Sequence, residues 1–331
     1  MIKIIYNSEL ALKEFIYKCD RRHLDFFEYN FIKDEDIKEY YGNKILKTFE
    51  HPDSLNLIIL KNNTPLGLLN VIRDFFDSDM LGYNCYKISD LAILSYSHSE
   101  IFEITKNMIS ELESYLKKKH HQFYVSISLN NNLFNSNFIF NSLLVNGFFY
   151  IQTLLTFVLI SSKNKLILRK SKQPILIRKV KSTDVESVAA LAQKSFKYSR
   201  FHLDPFLDYK KTNLLLKTSA ENSILKHFVD IMYVAEYDEK IVGYYSAKKR
   251  IIPEFERTFG EATISAVDED YRGMGIFSLL NESIINWFKI NTDFAEMGTY
   301  LINYPVHKTW INCNLSLIRG VHQFSKLYLR S

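Results

Sequence analysis

The sequence predicts a mixed α/β fold, with helices on a mixed sheet, built as two tandem domains. Three observations support this prediction. The 331 residues, of which 47% are hydrophobic, suffice for two hydrophobic cores of ordinary size. Strand-like and helix-like runs alternate in each half, which is typical of helices packed on a sheet. A basic stretch, 165–181, has the character of a solvated connector, so we expect domains over 1–165 and 166–331.

The second half contains a regular succession of predicted elements. A strand at 175–180 precedes a helix that a capping box, Thr183 with Glu186, is expected to open. The remaining elements follow in chain order: a helical region (214–229), a hairpin (231–236 and 240–247), a strand (262–267), a helix (277–291), a strand (296–302), a short helix (305–312) and a final strand pair (316–329). This order corresponds to an α/β domain wrapped on one mixed sheet.

The first half weakly repeats this order. Its hairpin, 57–67, has the shape of 233–243, since each ends in glycine. The elements that follow are a strand (86–94), a long helix (100–119), a strand (124–128), a helix (134–145) and a strand (148–160). Where the second half carries Arg-Gly-x-Gly, the first half carries 95–99, Ser-Tyr-Ser-His-Ser, without glycine. We interpret the first half as a degenerate copy of a duplicated domain that has lost its glycine turn.

Composition narrows the class of protein. The formal net charge is only +5, and the basic stretch 165–181 lacks interleaved aromatics, so we expect no nucleic-acid partner. The uncharged stretch 138–161 contains an Asn-Gly pair and several polar residues, which favours a helix–turn–strand over a membrane span. Cys19, Cys85 and Cys313 have no metal-like spacing and are too few for a disulfide framework. We therefore expect no metal site and a cytoplasmic location.

The most informative stretch is 267–277, which leaves a strand-like run and opens a helix-like run. Gly273 and Gly275 lie here, two of only ten glycines in the chain. A turn of this kind aims several unpaired backbone N–H groups and the positive end of the helix dipole at one point. The stretch is therefore suited to binding a pyrophosphate.

Residues 175–329 resemble the GNAT superfamily of N-acyltransferases, which use acetyl-CoA. The family signature Arg/Gln-x-x-Gly-x-Gly/Ala appears as Arg272–Phe277, with phenylalanine in the last position. A second family pattern runs from Asn303 to Leu315, with Trp310 in place of the family tyrosine. The resemblance implies that the pantetheine arm of acetyl-CoA pairs with the strand ending at Val267. The implied cofactor-binding residues are Ser265, Val267, Arg272, Gly273, Met274, Gly275, Ile276, Phe277, Asn303 and Trp310.

A second run, 195–205, reads Ser-Phe-x-x-Ser-Arg-Phe at its start. It is similar to acyltransferases that modify nucleotide-linked amino sugars, such as dTDP-fucosamine acetyltransferases, in which this loop lies near the acceptor. The resemblance implies substrate-binding roles for Arg200, Phe201, His202 and Asp204. Arg200 is suited to bidentate binding of a sugar-nucleotide phosphate, although a salt bridge with Asp204 or Asp208 is an equal alternative.

The resemblance implies transfer of an acetyl group from acetyl-CoA to the amine of a small molecule. The expected acceptor is a dTDP- or UDP-linked deoxyamino sugar destined for a surface polysaccharide. Two alternatives remain open: a GNAT enzyme acting on another small amine or an amino acid, and a catalytically inactive acyl-CoA-binding scaffold. A homodimer is a possible assembly.

Acyl transfer to an amine requires a base that neutralises the ammonium and an acid that protonates the departing thiolate. An indole N–H is not a useful acid, so Trp310 leaves the second role open. The candidate acids are Tyr300, Tyr304 and His322, and unassisted departure of the thiolate is the alternative. Glu261 is the expected base, because GNAT enzymes often place a carboxylate there, and His202 is a second candidate.

Overall fold

The computed structural model describes residues 2–161 and 173–329, which form two compact units. The first unit contains Met1–Thr153 and Arg319–Ser331, and the second contains Leu154–Ile318. The predicted border at 165/166 lies outside the described residues, as does the first part of the basic stretch, 165–172. The compact units instead divide after Thr153, and most of the last strand lies in the first unit.

Six strands pair in series in the first unit, beginning with β1 (Ile2–Tyr6) at the edge. Its elements are β1 (Ile2–Tyr6), α1 (Glu9–Lys18), α2 (Asp34–Phe49), β2 (Ser54–Lys61), β3 (Thr64–Arg73), α3 (Phe75–Leu81), β4 (Asn84–Ile93), α4 (His98–Lys119), β5 (Gln122–Asn130), α5 (Ser136–Val145), the start of β6 (Phe149–Ile160) and the end of β12 (Ser316–Leu329). The paired strands follow the order β1-β2-β3-β4-β5-β12. Only β4 and β5 are parallel in this series.

The second unit is built on the same plan. Its elements are the end of β6, β7 (Leu176–Lys179), α6 (Val185–Ser195), α7 (Arg200–Leu203), α8 (Tyr209–Leu225), β8 (Ile231–Tyr237), β9 (Lys240–Ile252), β10 (Arg257–Val267), α9 (Ile276–Asn291), β11 (Phe294–Tyr300), α10 (Tyr304–Ile311) and the start of β12. The strand order is β7-β8-β9-β10-β11-β6, and only β10 and β11 are parallel.

The tandem mixed α/β architecture predicted from the sequence is thus confirmed. Each sheet has three antiparallel pairs, one parallel pair and one further antiparallel pair. In each unit the last strand comes from the other half of the sequence, because β12 pairs with β5 and β6 pairs with β11. This exchange of final strands could not be read from the order of elements alone.

A hairpin glycine lets the long helix of each unit approach its sheet. A Cβ atom at Gly67 would lie 2.3 Å from Met108 Cε on α4, and one at Gly243 would lie 3.0 Å from Ile276 Cγ2 on α9. On β9, Tyr245 packs with α9 whereas Tyr244 packs with α6. Because successive strand residues point to opposite faces, α6 and α9 cover opposite faces of the second sheet.

Several predicted details of the second unit differ from the structure. The final strand pair is a single strand, β12, and α8 begins at Tyr209 because the side chain of Asp208 accepts the Lys211 N–H at 2.9 Å. The predicted capping box at the start of α6 is wrong. Instead, the Asp184 carboxylate accepts the Lys181 N–H at 2.7 Å and pairs with Arg178 at the same distance, so α6 begins after a short 3-10 turn.

The uncharged stretch 138–161 folds as predicted, with the helix α5 followed by the strand β6. Gly147 connects them with a left-handed φ of +80°. No helix within residues 2–161 and 173–329 is both long and apolar enough to cross a membrane.

Candidate active site

The parallel strands β10 and β11 separate beyond their first residues. Their pairing covers only 259–261 of β10 and 294–296 of β11, although the strands continue to Val267 and Tyr300. The carboxyl ends of the two strands therefore enclose a cleft. In open α/β sheets such positions commonly receive ligands.

A β-bulge in β10 lies where this separation begins. The register against β9 shifts between Ala262 and Ser265, and Ser246 Oγ contacts Thr263 Oγ1 at 2.7 Å beside the bulge. A bulge bends its strand and changes the direction of the backbone polar groups. Among the described strand pairs, the edge that carries Ser265 and Val267 stays open toward β11. An extended ligand can hydrogen-bond to this edge as an added strand.

The 272–277 turn follows β10 and opens α9. Gly273 and Gly275 have left-handed φ values of +85° and +81°, and a Cβ atom at either position would meet nothing within 4 Å. The first backbone bond of α9 runs from the Leu279 N–H to the Gly275 carbonyl at 3.2 Å. Within the described part of the chain, no acceptor bonds the N–H groups of 273–277. These groups can therefore receive an anion.

The other side chains of the turn divide between solvent and core. Arg272 is exposed, whereas Ile276 is buried and Met274 is half-buried against the same core. Phe277 stacks on Tyr245 with ring centroids 5.8 Å apart. The phenylalanine at the last signature position therefore packs inward and leaves the glycine backbone accessible.

Three acidic residues, 268–270, adjoin this turn, and two of them have lysine partners on or after α6. Lys194 Nζ lies 2.6 Å from Asp268, and Lys197 Nζ lies 2.6 Å from Glu269. Burial alone would raise the pKa of Asp268, but the hydrogen bonds from Lys194 and the Asp270 N–H hold it below its ordinary value. This pairing offsets the negative charge beside the expected pyrophosphate position.

Asn303 and Trp310 occupy different surroundings on α10. Asn303 begins the helix, and its Nδ2 donates to Thr299 Oγ1 at 2.8 Å. Trp310 is only 1% exposed, and its Nε1 donates to Asn281 Oδ1 on α9 at 2.9 Å. The indole N–H is therefore used inside the core, and the side chain offers almost no surface to a ligand. Its predicted contact with the donor remains a prediction.

His202 connects the loop around α7 to the helix α8 through hydrogen bonds. His202 Nδ1 contacts Ser199 Oγ at 2.7 Å, and Nε2 contacts Asn213 Oδ1 on α8 at 2.8 Å. The amide oxygen can only accept, so Nε2 carries the proton and Nδ1 accepts from the hydroxyl. Burial lowers the pKa of His202, although the bond to Asn213 opposes this effect. The neutral ring therefore joins α7 to α8, which fits a positioning role better than that of a base.

The structure brings the predicted acceptor loop to the end of β11. The Arg200 backbone N–H donates to Tyr300 Oη at 3.2 Å, and the Arg200 guanidinium lies 4.0 Å from the Phe201 ring centroid. Asp204 is buried and accepts the Phe206 N–H at 2.9 Å, so its carboxylate shapes the loop. Burial raises the pKa of Tyr300 above its ordinary value, despite the opposing effect of Arg200.

The two remaining catalytic candidates lie in different places. Glu261 belongs to the paired part of β10, is half-exposed, and lies 3.2 Å from Lys248 Nζ. His322 belongs to the first unit, where Nδ1 contacts Thr153 Oγ1 at 2.8 Å and the ring meets Phe140 edge-on at 5.0 Å. Burial lowers the pKa of His322. These contacts give His322 a packing role in the first unit.

One histidine that contacts the end of β11 was not predicted from the sequence. His307, on α10, contacts the Tyr300 carbonyl through Nε2 at 3.1 Å, and its ring stacks on Phe157 with centroids 5.8 Å apart. Since a carbonyl only accepts, Nε2 donates. Burial lowers the pKa of His307. The spacing of four residues from Asn303, one helical turn, was the signal that could have identified it.

Comparison with known proteins agrees with this geometry. Residues 188–305 match the acetyltransferase (GNAT) family. No curated protein matches the sequence. A GCN5-related N-acetyltransferase from Sphaerobacter thermophilus has a similar structure, with a TM-score of 0.64 at 10% identity, covering 98% of this chain and 95% of that one.

Two further solved structures share the fold over almost the entire chain. A tandem GNAT protein from the clavulanic acid biosynthesis pathway gives a TM-score of 0.53 at 8% identity, covering 99% of this chain and 98% of the other. A GCN5-related glucosamine N-acetyltransferase region of a fungal multi-domain GH3 β-N-acetylglucosaminidase gives 0.63 at 12% identity, covering 98% of this chain and 38% of the other. At such identities the likeness establishes the fold alone.

The fold is therefore a tandem GNAT fold, and only its second unit contains the segment that matches the family. The members of that family use an acyl-CoA donor, and the second unit is therefore similar to acyl-CoA-dependent N-acetyltransferases. The open N–H groups of 273–277 and the unpaired edge of β10 fit the pyrophosphate and the pantetheine arm of such a donor.

Proposed function

We propose that the protein transfers an acetyl group from acetyl-CoA to the amine of a nucleotide-linked deoxyamino sugar. The hydrogen bond from the Arg200 N–H to Tyr300 Oη is the observation that carries this proposal. It holds the predicted acceptor loop at the end of the strand that separates from β10. An acceptor bound by the loop and a donor lying along β10 would therefore meet beside Tyr300.

In this proposal, two parts of the second unit bind the donor. The N–H groups of 273–277 hold the pyrophosphate, with the Arg272 side chain as added positive charge, and the β10 edge at Ser265 and Val267 holds the pantetheine arm. Asn303, fixed by Thr299, lies at the far side of the cleft. When bound, acetyl-CoA supplies a thioester carbonyl for attack by the amine.

Tyr300 is the proposed general acid. Its oxygen accepts the Arg200 N–H, so its own proton remains to be donated, and no described residue accepts that proton. The raised pKa keeps the phenol protonated at neutral pH. A phenol in this state can donate its proton to the departing thiolate. His307, which bonds the Tyr300 carbonyl, would position the end of the strand.

Glu261 is the proposed base, acting through water. Its carboxylate oxygens can accept a proton, and one of them lies 3.2 Å from Lys248 Nζ. The side chain is half-exposed, so water has access to it. The ammonium of the acceptor must lose a proton before its nitrogen can attack the thioester, and a chain of water molecules can carry that proton to Glu261.

The Arg200 guanidinium is the proposed contact for the diphosphate of the acceptor, since its planar fork matches phosphate oxygens. Phe201 and His202 complete the acceptor loop, and Asp204 maintains its shape. The fungal relative described as a glucosamine N-acetyltransferase offers a parallel for an amino sugar as acceptor on this fold.

Two measurements test the proposal in sequence. Calorimetric titration with acetyl-CoA should give binding in the micromolar range, typical of a substrate. A thiol-release assay with acetyl-CoA should then show faster turnover with dTDP- and UDP-linked amino sugars than with the free amino sugars or with small amines and amino acids. Equal or faster turnover with the free amines would overturn the proposed acceptor class while leaving the acetyltransferase activity intact.

A further inference from the structure

The two units carry the same short loop sequence at the same place in the fold. Residues 21–25 and 200–204 both read Arg-x-His-Leu-Asp, the first between α1 and α2 and the second between α6 and α8. The local geometry is also shared. The His23 N–H bonds the Asp20 carbonyl, and the His202 N–H bonds the Ser199 carbonyl, both at 3.0 Å. This agreement is what a loop kept in both copies of a duplicated domain would show.

In the first unit, two residues of this loop contact the Phe134 ring. The Phe134 ring centroid lies 5.4 Å from the Arg22 guanidinium and 5.0 Å from the His23 ring. Tyr96, in the turn before α4, meets the same ring edge-on at 4.8 Å. The Phe134 N–H also donates to the Arg22 carbonyl at 3.0 Å. The connection between β5 and α5 thus places the Phe134 ring against the loop.

The corresponding connection of the second unit carries no such ring. It consists of 301–303, three residues, whereas its counterpart is 131–135, five residues, and each ends in an asparagine that begins a helix. The residue before the asparagine is Phe134 in the first connection and Ile302, which is exposed, in the second. The loop itself has Phe201 where the first unit has Arg22.

Exposed tyrosines nevertheless flank the second loop in the chain and begin α10. The tyrosines in or next to the loop and at the start of α10 are Tyr198 at 60%, Tyr209 at 56% and Tyr304 at 69% exposure. Tyr209 contacts the His202 ring at 4.9 Å. Exposed aromatics beside a guanidinium, here that of Arg200 over Phe201, form a surface that suits a planar, negatively charged molecule.

We propose that the second loop binds the base of a nucleotide-linked acceptor by stacking, at the place where the first loop contacts the Phe134 ring. This inference rests on the proposed function and assigns the base-binding position within it. Phe201, which occupies the position of Arg22, supplies the stacking face, and Arg200 binds the adjoining diphosphate. Stacking accepts any base, so dTDP and UDP should bind with similar affinity.

The test uses dTDP and UDP as probes of the complete protein saturated with acetyl-CoA. Phe201→Leu keeps an apolar side chain but removes the ring, and should weaken binding of both nucleotides about tenfold or more. The dissociation constant of acetyl-CoA should not change. Tyr17→Leu, an exposed tyrosine at 82% on α1 of the first unit, is the matched control and should not alter nucleotide binding.

Two outcomes would overturn the inference and leave the proposed function standing: equal binding of the nucleotides by the wild type and Phe201→Leu, or a change of oligomeric state in Phe201→Leu, which would mark the surface as an interface between copies. Unchanged thermal unfolding would show that Phe201→Leu is folded. If the wild type binds acetyl-CoA but neither nucleotide, the proposed acceptor class fails as well.

Discussion

The glycines of the 272–277 turn are required by backbone geometry rather than by crowding. Both have left-handed φ values, and both face open space. A side chain at either position is strained, because L-residues rarely adopt this conformation. It would also project toward the position proposed for the pyrophosphate.

Gly275→Glu should therefore abolish measurable binding of acetyl-CoA, since it adds a negative charge where the pyrophosphate is expected. Calorimetric titration measures the effect. Gly147→Glu is the matched control. Gly147 also has a left-handed φ, +80°, so a side chain there is strained in the same way, but it lies in the first unit, away from the 272–277 turn. Binding by Gly275→Glu at wild-type affinity would remove the turn from the donor site.

Removal of the Tyr300 hydroxyl tests its proposed role as the general acid. Tyr300→Phe removes the oxygen that accepts the Arg200 N–H and should lower kcat by a factor of about 100 or more, with little change in acetyl-CoA affinity. Tyr304→Phe, four residues away, should lower kcat far less. A larger loss in Tyr304→Phe would transfer the role of acid to that residue.

The pH dependence of the wild type adds a further check on Tyr300. The phenol must be protonated to act as an acid, and its pKa lies above the ordinary value of 10.0. This group should therefore cause no fall in kcat until the pH exceeds about 10. A fall in kcat at neutral pH that disappears in Tyr300→Phe would contradict the assignment.

Local signals identify some residues of the site and not others. The glycine pair and the Arg200 loop of the candidate site could be predicted from the sequence, because each is a short run of neighbouring residues. His322 could not be placed, because nothing local indicates that β12 completes the sheet of the first unit. The roles of His307 and Trp310 depend on partners on other elements, Tyr300 and Asn281.

The helices α9 and α10 are joined by a buried polar contact. Trp310 Nε1 donates to Asn281 Oδ1, and Asn281 Nδ2 lies 3.7 Å from Cys313 Sγ. The Phe157 ring meets the indole edge-on at 5.3 Å. Buried polar groups of this kind are costly when one partner is removed.

Trp310→Phe should therefore lower the free energy of unfolding by about 1–3 kcal/mol, because Asn281 loses its donor and a smaller ring remains. Denaturant unfolding measures this change. A double variant with Asn281→Leu should be less destabilised than the sum of the single variants, since neither partner is then left unpaired. A large loss of acetyl-CoA affinity without loss of stability would instead show that Trp310 contacts the donor.

The lengths of the elements were less predictable than their order. The hairpin at 238–239 is confirmed, with left-handed φ values at both residues, because such turns have strong local preferences. By contrast, β10 begins at Arg257 rather than near 262, and its bulge depends on Ser246 of the neighbouring strand. Strand ends and bulges are fixed by pairing, which a single sequence does not display.

Within each unit, the separation of the central parallel strands follows the same pattern. In the first unit β4 pairs with β5 only over 84–88, and a register shift against β3 lies at the same level. The turn after β4, however, is closed by its own side chains. Ser95 Oγ accepts the Ser97 N–H at 3.1 Å and contacts Glu100, which also pairs with Lys61 at 2.5 Å.

The first unit should consequently bind no acyl-CoA, and the whole chain should bind one molecule. The Glu100 carboxylate lies in the first turn of α4, where it interacts with the positive end of the helix, and the hydrogen bond from Lys61 lowers its pKa. Calorimetry should give a stoichiometry of one, which Gly275→Glu reduces to zero. Glu100→Gln removes the charge but not the glycine-free turn, so it should leave the stoichiometry at one. A stoichiometry of two in the wild type would show that a glycine turn is not needed and that the duplicated unit is a second donor site.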